Sequence, residues 1–176
     1  WPKEVSVAVN VSPRQLRDPG FIVTLVSALT QAGLEPHRVE LEVTETVFLE
    51  LTATTQKILQ QIQTLGVRLA MDDFGTGYSS LGYLRKAEFD TLKIDRSFVQ
   101  SMSVQDPEST AIIRAVVALA GSLGMKTVAE GVASEEQLQL VRALGCDRIQ
   151  GYIFSRPVAA STARAMLGEG RKRAAA

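Results

Sequence analysis

Six short segments of the chain alternate apolar and polar residues with a period of two, the pattern of a β-strand with two different faces. These segments are residues 5–11, 38–44, 67–72, 91–95, 126–130 and 147–153. Between them lie stretches with a helical period, of which the clearest are residues 21–32, 54–65, 109–123 and 135–144. Regular alternation of strands and helices predicts a parallel sheet with helices packed outside it.

Signals for helix ends support the same division of the chain. A glycine follows each helical stretch, at positions 33, 66, 124 and 145, where the end of a helix favours glycine. Ser134 stands directly before the last stretch, so we expect it to cap that helix. The next strand begins within a few residues of each glycine, so the connections are predicted to be short.

Polar residues at the strand ends distinguish a barrel from an open sheet. They are Asn10, Glu42, Asp72 with Asp73, Asp95, Glu130 and Gln150. In a (β/α)8 barrel these ends converge on one face, whereas in a doubly wound sheet they lie along a line. The chain also lacks a GxGxxG or GxxxxGK[ST] motif after its first strand, which argues against Rossmann and P-loop sites. The pattern predicts an α/β fold of the TIM-type barrel class.

The length of the chain limits how much of a barrel it can form. A complete barrel has eight strands in about 250 residues, whereas this chain has 176 residues, six predicted strands and Trp1 as its first residue. We therefore expect a barrel that is N-terminally truncated to about six βα units and that fills residues 1–168 as one partial domain. Residues 169–176 end in a low-complexity sequence and are predicted to be a disordered tail.

Composition narrows the classes of function. Lysine and arginine together number 19, as do aspartate and glutamate, so the net charge is near zero and no nucleic-acid partner is expected. One cysteine and one histidine exclude a cysteine-rich zinc site and most Ser–His or Cys–His catalytic machinery. We expect no signal peptide and no transmembrane helix in this chain, because its sequence has no apolar run of transmembrane length. We expect a cytoplasmic domain, with any membrane anchor of the parent protein in regions that precede it.

The polar residues at the strand ends form an oxygen-rich set of candidate metal ligands. These carboxylates and two amides suit Mg²⁺ or Mn²⁺, and adjacent Asp72 and Asp73 could bridge two such ions in a site for hydrolysis at phosphorus. Lys93 adds a positive charge for phosphate oxygens. Any one of these acids alone would be an exposed loop residue, but their shared position at strand ends favours a common site.

The segment DDFGTGYSSL, residues 72–81, follows the third strand. Phe74, Gly75, Thr76 and Gly77 form its glycine-containing turn, which can adopt left-handed or tight-turn geometry and reposition the carboxylates before it. The alternative is an ordinary loop between a strand and a helix.

Six motifs together resemble the EAL family of bacterial phosphodiesterases, which hydrolyse cyclic di-GMP to linear pGpG. They are NVSPRQL from Asn10, LEVTE from Leu41, DDFGTGYSSL from Asp72, LKIDRSFV from Leu92, TVAEGV from Thr127 and QGYIFSRP from Gln150. Their order and spacing match the family over nearly the whole chain. The resemblance implies a modified (β/α)8 barrel, cyclic di-GMP as ligand, a two-metal site with Mg²⁺ or Mn²⁺, and a homodimer.

The resemblance also assigns roles to individual residues. Asn10, Glu42 and Asp72 match ligands of the first metal, and Asp73 matches a ligand of the second, with Asp72 bridging. Lys93 matches the lysine at the attacking water or the scissile phosphate, and Glu130 the general base. Gln150 matches a glutamine beside the metal and water, and Glu45 the glutamate that anchors the DDFGTG loop and couples it to dimerisation.

Two departures from the family pattern qualify this expectation. The Glu-x-Leu motif that names the family is absent and is expected in a preceding segment, and Ala133 stands where the family usually has glutamate. We therefore expect the fragment alone to be poorly active or inactive. The alternatives are a catalytically degenerate cyclic di-GMP sensor or regulatory module, and a structural relic. In the parent protein, upstream sensory or diguanylate cyclase domains would fit the family.

Overall fold

The fold contains a six-stranded parallel sheet whose strands are ordered as they occur along the chain. The computed structural model describes residues 2–49, 52–75, 84, 88–102 and 107–174. The strands are β1 (Val7–Asn10), β2 (Val39–Thr44), β3 (Arg68–Phe74), β4 (Thr91–Ile94), β5 (Lys126–Ala129) and β6 (Arg148–Ile149). Five of the predicted segments contain one strand each, and β3 begins inside the segment predicted at 67–72 but continues two residues beyond it.

The helices connect successive strands of this sheet. They are α1 (Phe21–Ala32), α2 (Thr46–Leu49), α3 (Ala53–Thr64), α4 (Arg96–Ser101), α5 (Pro107–Ser122), α6 (Glu135–Ala143) and α7 (Ala160–Ala174), with short 3₁₀ turns at Gln15–Arg17 and Pro36–Arg38. Parallel strands in sequential order need crossovers that all run the same way, and right-handed crossovers then place the helices on one side of the sheet. This is the layout of a barrel wall, so the predicted fold class is confirmed.

The two faces of the sheet differ as their alternation predicted. One face packs fully buried side chains, among them Leu69, Leu92 and Ile94, with Ile62 of α3 and Ile113 of α5 in one apolar core. The opposite face carries polar side chains that are nevertheless buried: Glu40, Glu42, Asp72, Thr91 and Lys93. Such groups need partners within the protein, and these partners define the site described below.

The predicted helix ends are also confirmed. The four glycines that follow helices have positive φ angles, between 58° at Gly33 and 86° at Gly145. Ser134 forms a capping box with Gln137. The Gln137 N–H donates to Ser134 Oγ, and the Ser134 N–H donates to Gln137 Oε1. Helix α1 has the predicted bounds, and the other predicted helices differ by one or two residues at their ends.

Three features of the chain differ from the sequence prediction. Strand β6 has only two residues, because the backbone beyond it bonds to the loop after β5: Val132 N–H donates to the Gln150 carbonyl, and Ile153 N–H donates to the Val132 carbonyl. The Asp95 carboxylate accepts a hydrogen bond from the Ser97 N–H and caps the start of α4, a helix that apolar periodicity did not indicate. Helix α7 continues to Ala174, within the segment 169–176 for which the sequence predicted disorder.

No helix in the described part of the chain combines the length and the apolar character that crossing a bilayer requires.

Candidate active site

The ammonium group of Lys93 lies at the centre of a cluster of carboxylates on the polar face of the sheet. Its Nζ atom is 2.7 Å from Glu42 Oε2, 2.9 Å from Asp72 Oδ1 and 2.7 Å from Glu130 Oε1. These residues come from β4, β2, β3 and the residue directly after β5, respectively. The sheet therefore brings together side chains that are up to 88 positions apart in sequence (residues 42 and 130), as convergence of strand ends predicts.

Lys93 acts electrostatically as a fixed positive charge. Only 4% of its side chain is exposed, and burial by itself would lower the pKa of a lysine. Hydrogen bonds from the ammonium group to Glu130, Glu42 and Asp72 outweigh that effect and raise its pKa above the ordinary value. Lys93 consequently keeps its proton at neutral pH, which argues against Lys93 as a general base.

A β-bulge brings Asp72 and Asp73 onto the same side of the sheet. Neighbouring side chains of a regular strand point to opposite faces, but the pairing of β3 with β4 shifts register between Met71 and Phe74. Asp73 adopts a φ of 55°, in the left-handed region that is uncommon for residues other than glycine. As a result, carboxylate oxygens of Asp72, Asp73 and Glu130 lie within 4.8 Å of one another.

These three carboxylates fit a hard divalent cation. They offer only oxygen ligands, which suit Mg²⁺, Mn²⁺ or Ca²⁺ rather than softer metals. Burial raises the pKa of Glu130, although its bond to Lys93 opposes this. Burial and the charge of Asp72 likewise raise the pKa of Asp73. Burial and neighbouring carboxylates disfavour the ionised forms of these two groups, and a bound cation would favour them.

The remaining predicted residues lie around this cluster. Asn10 ends β1 in register with Glu42, and Gln150 lines a cavity of about 200 Å³ together with Glu42 and Lys93. The Gln150 N–H donates to the carbonyl of Ala129, the last residue of β5, and the Gln150 carbonyl accepts from the N–H of Val132 in the loop that follows.

The loop after β3 is described only at its beginning. Phe74 is buried and Gly75 has a φ of 95°. A side chain at Gly75 would meet the Phe98 ring at 2.9 Å, so this position requires glycine for both conformation and space. Thr76 and Gly77 lie outside the described residues. Glu45 directly follows β2, and its predicted role as anchor of this loop stays a prediction.

Two features near the cluster were not recognised from the sequence. One is a second polar layer, in which Glu40 accepts a 2.8 Å bond from Thr91 Oγ1 and lies 4.0 Å from Arg68 Nε and 3.7 Å from Arg148 Nη1. The signal for it was present, since Glu40 shares a strand face with Glu42. The other is a cavity of about 220 Å³ beside Glu130 and Gln150, lined also by Arg96, Gln100, Gly131, Ala133, Gly151 and Tyr152.

Comparison with known proteins identifies the family. The family model described as the EAL domain matches residues 1–157. The chain belongs to the EAL family. It is 44% identical over 154 residues to the cyclic di-GMP phosphodiesterase RocR of Pseudomonas aeruginosa, covering 88% of this chain and 39% of RocR.

Solved EAL structures share the same fold. The EAL domain of Mycobacterium smegmatis DcpA matches with a TM-score of 0.88 and 40% identity, over 96% of this chain and 75% of that one. Klebsiella pneumoniae BlrP1, in a complex with manganese and cyclic di-GMP, matches with a TM-score of 0.78 and 35% identity, over 86% of this chain and 39% of that one. The chain spans about a fifth of the length of several other curated relatives.

Proposed function

We propose that this EAL domain catalyses the metal-dependent hydrolysis of cyclic di-GMP to linear pGpG. The observation that carries the proposal is the cluster in which buried Lys93 contacts Glu42, Asp72 and Glu130 while Asp73 joins the same group of carboxylates. Such a cluster has an excess of negative charge, which suits divalent cations and, through them, an anionic phosphodiester. The named activity of RocR supports the same substrate.

The metal requirement follows from the donor set. Asp72, Asp73 and Glu130 would hold the cations, joined by Glu42 and Asn10 at the ends of the two preceding strands. When bound, Mg²⁺ or Mn²⁺ would neutralise the phosphate and acidify the attacking water. The manganese complex of BlrP1 supports Mn²⁺ as a competent ion for this family.

The chain's own residues then account for the proton movements. Glu130 accepts a proton from the water that attacks phosphorus, because it is the carboxylate with a raised pKa that faces Lys93. Lys93 orients Glu130 and offsets the charge that develops on the phosphate oxygens. One P–O bond to a ribose 3′ oxygen breaks, that oxygen leaves with a proton, and the product is the linear dinucleotide with a 5′ phosphate.

The setting of the domain is part of the proposal. We infer that the domain is cytoplasmic, that it pairs as a homodimer, and that the parent protein carries sensory or diguanylate cyclase domains in addition to it. These inferences rest on the family, and size-exclusion chromatography with light scattering of the full-length gene product tests the dimer.

The test of the reaction is hydrolysis of cyclic di-GMP in Mn²⁺, with chromatographic detection of pGpG. The full-length gene product is assayed beside the 176-residue chain, because the chain alone is expected to be poorly active. We expect Glu130→Gln to lower kcat by a factor of at least 100, whereas Glu136→Gln, on the exposed first turn of α6, should retain the wild-type rate.

A second pair of variants tests the role of Lys93. Lys93→Met keeps most of the length of the side chain but removes the charge, so we expect a similar loss of kcat, while Lys57→Met on the exposed surface of α3 should be neutral. If the full-length protein binds cyclic di-GMP in Ca²⁺ but forms no pGpG in Mn²⁺ or Mg²⁺, the hydrolase proposal is wrong and the sensor alternative replaces it.

A further inference from the structure

An ion pair crosses the concave, polar side of the sheet, on the amino-terminal side of the carboxylate cluster. Arg148 on β6 has its Nη1 atom 3.7 Å from Glu40 Oε2 on β2. Strands β3, β4 and β5 lie between these two strands in the sheet. Four strand spacings of about 4.8 Å would put β2 and β6 about 19 Å apart in a flat sheet, which is farther than the two side chains reach. The contact therefore exists because the sheet curves, and it joins opposite walls of the barrel.

Glu40 is the fixed end of this pair. Its side chain is 8% exposed, and its Oε2 atom accepts a 2.8 Å hydrogen bond from Thr91 Oγ1 on β4. Arg68 Nε on β3 lies 4.0 Å from the same oxygen, and Arg68 Nη2 donates to Ser6 Oγ at 2.7 Å. A buried carboxylate that is held by neighbours on two other strands keeps one position, so Arg148 reaches toward a fixed point.

Strand β6 is held to the rest of the sheet by few backbone bonds. It is two residues long and, within the described part of the chain, it pairs only with β5. Just beyond it, the Gln150 backbone bonds to Ala129 and to Val132. These bonds fix the register of β6 against β5, but they do not fix the distance of β6 from β2 across the interior. The contact between Arg148 and Glu40 constrains that distance.

Each partner of this ion pair stands two residues before a residue of the candidate site. Glu42 follows Glu40 on β2, and Gln150 follows Arg148 directly after β6. Two residues of a strand span about 6.6 Å and return to the same face of the sheet, so the ion pair lies one step away from the site. All four residues line the cavity of about 200 Å³ that Lys93 also lines. A change in the distance between β2 and β6 at the ion pair therefore moves Gln150 relative to Glu42.

We propose that Arg148 is a positioning residue, whose ion pair with Glu40 sets how closely Gln150 approaches the carboxylate cluster. The inference rests on the proposed function and adds to it a residue outside the cluster. A displacement of about 1 Å at a reacting centre can slow a reaction about a hundredfold, so this ion pair affects the rate from a distance. Its effect on stability should be small by comparison, because the Arg148 side chain is 46% exposed and solvent screens such a pair.

The experiment measures kcat and KM for cyclic di-GMP in Mn²⁺ with the full-length gene product. Calorimetric titration with cyclic di-GMP in Ca²⁺ counts the binding sites, so that kcat is expressed per binding-competent site. We expect Arg148→Met to lower kcat by about tenfold to a hundredfold, while KM stays within about twofold of the wild-type value. Arg148→Lys should recover most of the loss, because the contact involves one nitrogen and the point charge of lysine can replace it.

A double variant tests whether Arg148 acts through Glu40. Glu40→Gln removes the charge but keeps an acceptor for Thr91, and it should also lower kcat. When both substitutions are combined, kcat should fall no further than in the more severe single variant, because each removes the same contact. Arg142→Met and Glu136→Gln, at exposed positions of α6, should retain the wild-type kcat. Losses that multiply in the double variant, or fewer binding sites with an unchanged kcat per site, overturn the inference.

Hydrogen exchange keeps the inference separate from the proposed reaction, because movement of β6 exposes the Gln150 amide whatever the domain catalyses. In Arg148→Met, peptides that cover residues 126–134 and 147–154 should exchange faster than in the wild type, and Arg148→Lys should restore slow exchange. Peptides that cover residues 91–95 should exchange at the wild-type rate. If the wild-type protein forms no pGpG, this result supports the placement of Gln150 by Arg148 although the hydrolase proposal has failed. Exchange that is unchanged, or faster in all peptides alike, overturns the inference.

Discussion

The left-handed conformation of Asp73 predicts that the carboxylate cluster is held at a cost in stability. Asp73 has a φ of 55°, and it faces Asp72 closely enough for that charge to raise its pKa. Replacing it by glycine relieves both the backbone conformation and the repulsion. A non-glycine residue in this region costs about 1–2 kcal/mol, and aspartate tolerates it better than most residues.

We therefore expect Asp73→Gly to raise the free energy of unfolding of the metal-free protein by about 1 kcal/mol. The added backbone freedom of glycine in the unfolded chain offsets part of the gain. For a protein of this size, about 1 kcal/mol corresponds to an increase in Tm of roughly 2–4 °C. The same substitution removes a carboxylate of the cluster, so Mn²⁺ should stabilise the variant less than it stabilises the wild type.

Thermal unfolding in EDTA and in Mn²⁺ measures both effects at once. Glu88→Gly is the matched control, because Glu88 is the other non-glycine residue in the described part of the chain with a positive φ, 44°, and it is not one of the three clustered carboxylates. It should gain stability in EDTA and keep the full response to Mn²⁺. The reasoning is refuted if Asp73→Gly is no more stable than wild type in EDTA, or if Mn²⁺ raises its Tm by the wild-type amount.

Three further predictions concern structure outside the carboxylate cluster. Hydrogen bonds from Lys126 and Thr127 lower the pKa of Asp147, so the stability that Asp147 supplies is present above its unfolded pKa and is lost as pH falls through its folded pKa. Asp147→Asn should therefore lower the free energy of unfolding at pH 7 by about 1 kcal/mol. In acid titrations followed by circular dichroism, the stability of this variant should also depend less on pH than that of the wild type. Burial raises the pKa of Cys146 to about 11, so at pH 8 its thiol should react with Ellman's reagent far more slowly in the native protein than in guanidinium chloride, and equal rates would contradict this. Gly151→Ala should cost about 2–4 kcal/mol of stability in a denaturant titration, since its Cβ would overlap the Val132 backbone, whereas Gly121→Ala in α5, with nothing within 4 Å, should be neutral or stabilising.

The sequence was sufficient to predict which residues meet at the site. Period-two alternation placed Glu42 on β2 and Lys93 on β4 on one face, and the position of Glu130 at a strand end placed it beside them. These inferences succeed because strand geometry is regular and parallel strands end on one side of the sheet. The contacts of Lys93 with all three carboxylates follow from that regularity.

The parts that sequence reasoning missed depend on departures from regular geometry. The bulge that turns Asp73 toward Asp72 has no period-two signal, since its effect is to break the period. Strand β6 ends early because Gly151 allows the chain to contact Val132, which is a tertiary contact that local pattern does not encode. Asp95 was interpreted with the strand-end acids, but its carboxylate caps α4, and aspartate serves equally well as a cap or as a ligand.

The two polar layers of the sheet show why only one of them should recruit a cation. In the layer of Glu40, one carboxylate meets two guanidinium groups and a hydroxyl, so its negative charge is fully compensated within the protein. In the layer of Lys93, one ammonium group faces three carboxylates, and Asp73 adds a fourth nearby. Buried charge without compensation is costly, and burial raises the pKa of Glu130 and of Asp73 in the direction that this cost predicts. The imbalance of charge in this layer therefore supports the proposal that the carboxylates at the strand ends bind a divalent cation.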